Sequence, residues 1–83
     1  MIEIKFIKQD NKAVAYEGKS EIGICEYVEN KDTWNIIHTI VNNDYQGQGI
    51  AKRLVECVID NAKKNGKKVI AECSYAKKIL DRI

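Results

Sequence analysis

A change of hydrophobic period near the middle constrains this chain more than any other feature. Up to Val41 the apolar residues recur at every second position, and from Ile50 they recur at helical spacing. Between the two lies Asn42-Asn43-Asp44-Tyr45-Gln46-Gly47-Gln48-Gly49, a polar stretch with two glycines one residue apart. Period two belongs to strands with one buried face and period 3.6 to an amphipathic helix. Ile2, Ile4 and Phe6 alternate with Glu3 and Lys5, which predicts a first strand. Gln9-Asp10-Asn11 supplies turn chemistry, residues 13–17 make a second strand ending at Gly18, and residues 22–29 a third, closed by Asn30-Lys31-Asp32. Residues 33–41, dense in β-branched and aromatic side chains, make the fourth. The short connections imply an antiparallel meander.

After the loop, Ile50, Ala51, Leu54, Val55, Val58, Ile59 and Ala62 mark one face of a helix that stops at Asn65-Gly66. Lys63 and Lys64 in its last turn complement the helix dipole. Residues 69–72 form a fifth strand, and Ser74 is the expected cap of a short final helix with Ile79, Leu80 and Ile83 facing the core. A helix between strands four and five lets them run parallel through a right-handed crossover. The expected fold is therefore α/β (α+β): a mixed sheet with an antiparallel four-strand meander, a central helix, a fifth strand parallel to the fourth and a short C-terminal helix. At 83 residues the chain makes one domain, 1–83.

Composition narrows the function classes. Fourteen Lys and Arg against twelve Asp and Glu leave a net charge of +2, too little to argue for nucleic acid on charge alone. The run Lys63-Lys64-Asn65-Gly66-Lys67-Lys68 reads as a solvated helix end. No stretch approaches the ~18 apolar residues of a membrane span, and alternating Ile2-Glu3-Ile4-Lys5 after Met1 is not a secretory leader. Cys25, Cys57 and Cys73 are odd in number and form no Cys-x-x-Cys pair, which excludes a tidy disulfide framework and a thiolate zinc knuckle. No metal is expected, and a reducing cytoplasm is the expected compartment. Cys25 and Cys57 read as packing residues, as do Tyr27 and Trp34.

The loop carries the chemistry. Glycines let the backbone bend and a ligand approach without a Cβ in the way, and the first amides of a helix have no partner within it. A phosphate on several such amides gains charge-assisted bonds of roughly 1.5–3 kcal/mol each, less its own desolvation. The first helical turn carries Lys52 and Arg53 and no carboxylate. Cations there oppose the dipole by about 0.3–1 kcal/mol each until an anion arrives. A hydrated glycine-rich turn with both cations in solvent is the plainer alternative.

Gln46-Gly47-Gln48-Gly49-Ile50-Ala51 resembles the Arg/Gln-x-x-Gly-x-Gly/Ala signature of the GCN5-related N-acetyltransferase superfamily, whose loop cradles the pyrophosphate of acetyl-coenzyme A between a strand and a helix. A small single-domain branch of that superfamily is similar at two further places, His38-Thr39-Ile40-Val41 on strand four and Cys73-Ser74-Tyr75 after strand five. The resemblance implies a minimal acyl-CoA N-acyltransferase fold and acetyl-coenzyme A as co-substrate. It implies cofactor contacts from Gln46, Gly47, Gln48, Gly49, Ile50, Ala51, Lys52 and Arg53, with the strand edge near Ile40 and Val41 pairing with the pantetheine arm. Larger members carry acceptor-binding helices between their first two strands. Here only a turn joins those strands, so the amine acceptor, small molecule or protein, stays unassigned, as does the oligomeric state.

Acetyl transfer needs a held donor, an unprotonated acceptor and a place for the leaving thiolate's charge. A lysine-like amine of pKa ~10.4 costs roughly 4.6 kcal/mol to deprotonate at neutral pH. His38 is the only histidine and a candidate base, although by alternation it shares a face with Trp34, Ile36 and Ile40, and a single histidine amid apolar neighbours is more often a core residue. Cys73 just precedes a helix, whose amino end favours a thiolate, and is expected near His38 at the adjoining ends of strands four and five. An acetyl-cysteine relay and a direct attack in which Cys73 or Tyr75 protonates the departing thiolate both fit. A coenzyme A-binding module without turnover, or a small basic RNA-binding protein, is the alternative.

Overall fold

The computed structural model describes residues 1–82; Ile83, expected to face the core, lies outside them. Five strands, β1 Ile2–Ile7, β2 Lys12–Glu17, β3 Ser20–Asn30, β4 Thr33–Val41 and β5 Lys68–Ala71, stand in the order β1-β2-β3-β4-β5. The first four are antiparallel neighbours and β5 runs parallel to β4. Helix α1, Ile50–Lys64, crosses between β4 and β5, and α2, Ser74–Asp81, follows β5. The architecture is the expected one. β5 lies one residue earlier than its pattern suggested, and Cys73, not Ser74, takes the cap position of α2.

The helices cover one face of the sheet. Ile50, Leu54, Val55, Val58, Ile59 and Ala62 of α1 are buried against Ala13, Ala15, Cys25, Tyr27, Trp34 and Ile36. Each of the larger side chains contributes roughly 1.5–3 kcal/mol on burial, and this packing, rather than intrinsic propensity, holds a helix of this length. α1 packs tightly on the sheet at Gly23. A Cβ there would stand 3.1 Å from Leu54 Cδ1, 3.2 Å from the Ile40 carbonyl oxygen and 3.3 Å from Val41 Cγ2.

Strand β4 departs from plain alternation. Glu26 pairs with His38 and the next residue, Tyr27, pairs with Ile36, so Ile37 is an extra residue in β4. Such a bulge moves every later side chain to the other face. Trp34 and Ile36 point into the core, but beyond the bulge Thr39 and Val41 do so, while His38 and Ile40 face outward and are exposed. The expectation that His38 and Ile40 share a face with Trp34 and Ile36 is corrected by this one residue.

The bulge also ends the pairing with β5, which covers only residues 33–36 and 68–71. The Ile36 carbonyl accepts the amides of both Glu72 (3.0 Å) and Cys73 (3.2 Å), turning the chain away from β4. At the far end of β4 the Asn42 amide donates to Ile22 of β3. By alternation the backbone groups of Thr39 and Val41 point away from β3, to the side β5 has left.

Candidate active site

A cleft of about 530 Å³ opens where β4 and β5 part. Thr39 and Val41 form one wall, Tyr75 of α2 the opposite wall, and Tyr45, Gln46, Gly47, Gly49, Ile50 and Ala51 the end. The loop is braced from within. Asn42 Oδ1 accepts the Asp44 amide at 2.9 Å, and Gln46 Nε2 donates to Asn43 Oδ1 at 3.1 Å. Gly47 and Gly49 have φ of +82° and +76°, a region that costs other L-residues about 1–2 kcal/mol. Gly49 is the N-cap of α1 and offers no side-chain cap, and the first turn holds no acidic residue. The first backbone bond runs from the Arg53 amide to the Gly49 carbonyl at 3.1 Å, leaving the amides of Ile50, Ala51 and Lys52 without acceptors inside the helix. Unpaired amides, a cap without a Cβ and two cations form a donor set suited to a phosphorylated ligand.

Cys73 stands between β5 and α2, half-buried. Its Sγ lies 3.6 Å from Thr39 Oγ1, which is also 3.6 Å from Cys25 Sγ. Partial burial pushes the Cys73 pKa up, but the Ala76 amide, the Thr39 hydroxyl and the amides of Tyr75 and Thr39 outweigh it, so the thiol sits below its ordinary value. These amides act through their field, since the sulfur makes no cap hydrogen bond of ordinary geometry. Cys25 is fully buried and its pKa is pushed up to about 11, chiefly by desolvation. Burial raises Cys57 too.

The structure thus brings Tyr75, Val41, Gln46, Gly47, Gly49, Ile50 and Ala51 to one cleft, while Cys73 stays outside its lining and reaches it only through Thr39, 3.6 Å away. Lys52 lies in an adjoining groove between α1 and α2, with Glu56, Tyr75 and Lys78. Gln48 and Arg53 are exposed beside the cleft without lining it. The side chains of His38 and Ile40 stand on the opposite face of the sheet, and Ile40 is 51% exposed. The neighbour of Cys73 on β4 is Thr39 rather than His38. Sequence reasoning also passed over Tyr45, although its place inside the glycine loop was a usable signal. In the basic run, Lys67 is engaged by Glu29 at 3.3 Å and by the Lys31 carbonyl at 3.0 Å.

A family model described as GCN5-related N-acetyl-transferase matches residues 11–83, and the chain belongs to that family. It is 33% identical to a GCN5-like protein of Staphylococcus aureus solved in solution, with a TM-score of 0.73 over 96% of this chain and 78% of that one. An IAA acetyltransferase from Bacillus cereus shares the fold at 22% identity and a TM-score of 0.69, over 99% of this chain and 73% of its own. A chain of the NatC complex, solved with Gag peptide and CoA, is 26% identical with a TM-score of 0.65 over 86% of this chain, which spans 54% of it. No functionally curated protein matches the sequence.

Proposed function

We propose that this protein binds acetyl-coenzyme A in the cleft and passes the acetyl group through Cys73 to an amine. Family membership and acetyltransferase neighbours support acyl transfer, and the NatC structure carries the same coenzyme. The observation that carries the residue-level reading is that one cleft runs from the uncapped amino end of α1 to Thr39, whose hydroxyl lies 3.6 Å from a thiol held below its ordinary pKa.

In this reading the amides of residues 47–52 hold the pyrophosphate, with Lys52 and Arg53 balancing its charge. The outward backbone groups of Thr39 and Val41 pair with the pantetheine amides as a partner strand would. The Cys73 thiolate attacks the acetyl carbonyl, the carbon–sulfur bond to the coenzyme breaks, and the coenzyme departs as a thiolate. One thioester replaces another, so the exchange is close to neutral in energy. A neutral amine then attacks the acetyl-cysteine, the Cys73 thiolate leaves, and the amine's extra proton passes to solvent. His38, on the far sheet face, has no part in this.

Incubation with acetyl-coenzyme A followed by intact-mass measurement tests the reading. The expected result is a one-acetyl adduct that is lost in Cys73→Ala and kept in Cys25→Ala. Amide shifts of residues 46–53 on titration with coenzyme A report the binding step separately. A shift without an adduct sinks the relay alone, and no shift at millimolar coenzyme sinks the whole reading.

A further inference from the structure

We propose that Thr39 and Cys25 form a two-way hydrogen-bond relay that holds Cys73 ready to ionise, making Cys25 a positioning residue rather than core filling. The geometry is one hydroxyl between two sulfurs, 3.6 Å from each. The bulge at Ile37 is what turns Thr39 inward between β3 and the end of β5. A hydroxyl has one proton to give, and so does each thiol. With Cys73 protonated, its S–H donates to Thr39 Oγ1 and the Thr39 O–H donates to Cys25 Sγ. With Cys73 ionised, both bonds reverse: the Cys25 S–H donates to Thr39 Oγ1 and the Thr39 O–H donates to the Cys73 thiolate. No proton changes owner within the relay; the proton Cys73 loses goes to solvent.

The reversal requires that Cys25 keep its proton whenever Cys73 has lost its own. Cys25 is fully buried behind Thr39 and meets that requirement, its pKa standing near 11 while that of Cys73 is lowered. The titratable groups around the pair are few. Cys57 on α1 and Glu26 on β3 act on Cys25 and hold it further towards the thiol. Glu72 and Tyr75 flank Cys73 along the chain, Lys52, Glu56 and Lys78 lie beyond Tyr75, and His38 faces the other side of the sheet. The lowered pKa of Cys73 therefore comes from amides and the hydroxyl rather than from a charged partner.

The inference rests on the reading above only for the use made of the ionised sulfur; alkylation needs no coenzyme, so the two fail separately. The test is the pH profile of iodoacetamide labelling at Cys73 in the folded protein, read by peptide mapping. Thr39→Val removes the hydroxyl at nearly constant shape. It is expected to raise the midpoint by roughly half to one pH unit, a three- to tenfold slower reaction at pH 7, a little below an ordinary charge-assisted bond because sulfur is a weak acceptor. Thr39→Ser is expected to restore the wild-type profile. Cys25→Ala is expected to raise the midpoint by a smaller step and Cys25→Ser, which keeps a donor, to leave it in place. A Thr39→Val profile superimposable on the wild type overturns the relay, as does a Thr39→Val shift with no shift in Cys25→Ala. If Thr39→Val fails to fold by circular dichroism, the two Cys25 variants decide it alone: equal profiles for Ala and Ser overturn it.

Discussion

The two ends of α1 offer a matched pair of perturbations. Gly49 begins the helix at φ +76° and Gly66 follows its end at φ +68°, and a Cβ at either would meet nothing within 4 Å. Alanine at either position should therefore act by backbone strain alone, about 1–2 kcal/mol, with a fall in Tm of roughly 4–15 °C for a domain this size. Only at Gly49 would the added methyl stand where, in the proposed reading, a phosphate approaches the first amides. Loss of one charge-assisted bond there is worth about 1.5–3 kcal/mol, a Kd for coenzyme A weaker by roughly 10- to 150-fold. Gly66 lies 17 residues on from Gly49, just past the other end of the helix and roughly 25 Å away at 1.5 Å per residue, and Gly66→Ala should leave that Kd unchanged. Thermal denaturation gives the first pair of numbers, and calorimetric titration at a temperature where both variants are folded gives the second. Equal Tm losses with a selective loss of affinity at Gly49 are expected. Equal affinities in the two variants would show that the amino end of α1 is not the phosphate seat.

Replacing Lys52 and Arg53 together by Gln should raise the stability of the free protein by about 0.6–2 kcal/mol, because each cation there opposes the helix dipole, while weakening coenzyme A and flattening its salt dependence; lower Tm with unchanged binding refutes this. Gly23→Ala should cost about 1–3 kcal/mol by overpacking, because the Ile40 carbonyl 3.2 Å from the new methyl is backbone and cannot swing aside; an unchanged or higher Tm refutes it. Cys25 gives a pH signature. The unfolded chain loses that proton near its ordinary 9.0 and the native protein only near 11, so between those values the unfolded state binds fewer protons and stability falls as pH rises. The two-unit difference is about 2–3 kcal/mol, read as the difference between wild-type and Cys25→Ala urea denaturations at pH 8.5 and 11; parallel curves refute it.

The strand order, the parallel fifth strand and the loop before α1 were legible because each is written in local chemistry: alternation, short turns, and glycines where the period changes. The faces of β4 were not. Alternation put Trp34, Ile36, His38 and Ile40 together, and the tandem Ile36-Ile37 was the only hint of an extra residue, one that a fully buried strand would also produce. No glycine marks that bulge, so local propensity is silent, and the shift is visible only once β3 supplies the register. From it follow the misjudged faces of β4: His38 leaves the helix-covered face and Thr39 enters it. Ser74 was expected as a cap because hydroxyls favour that position. The hydrogen bond that the Cys73 amide donates to the Ile36 carbonyl fixes the helix start one residue earlier and gives the cap position to Cys73.

Strand β4 belongs to two differently built halves. To one side stands a hairpin stack whose partners are close in sequence; to the other, a βαβ crossover that must close a long loop before β5 can dock. Only four residue pairs join β5 to the rest of the sheet. Amide hydrogen exchange should then detect two cooperative units of unequal protection, the segment from β5 onward opening first. A molecule gripping both walls of the gap would tie the weaker unit to the stronger one, and its binding would register as slowed exchange along the whole of α2, beyond Tyr75 at the wall itself.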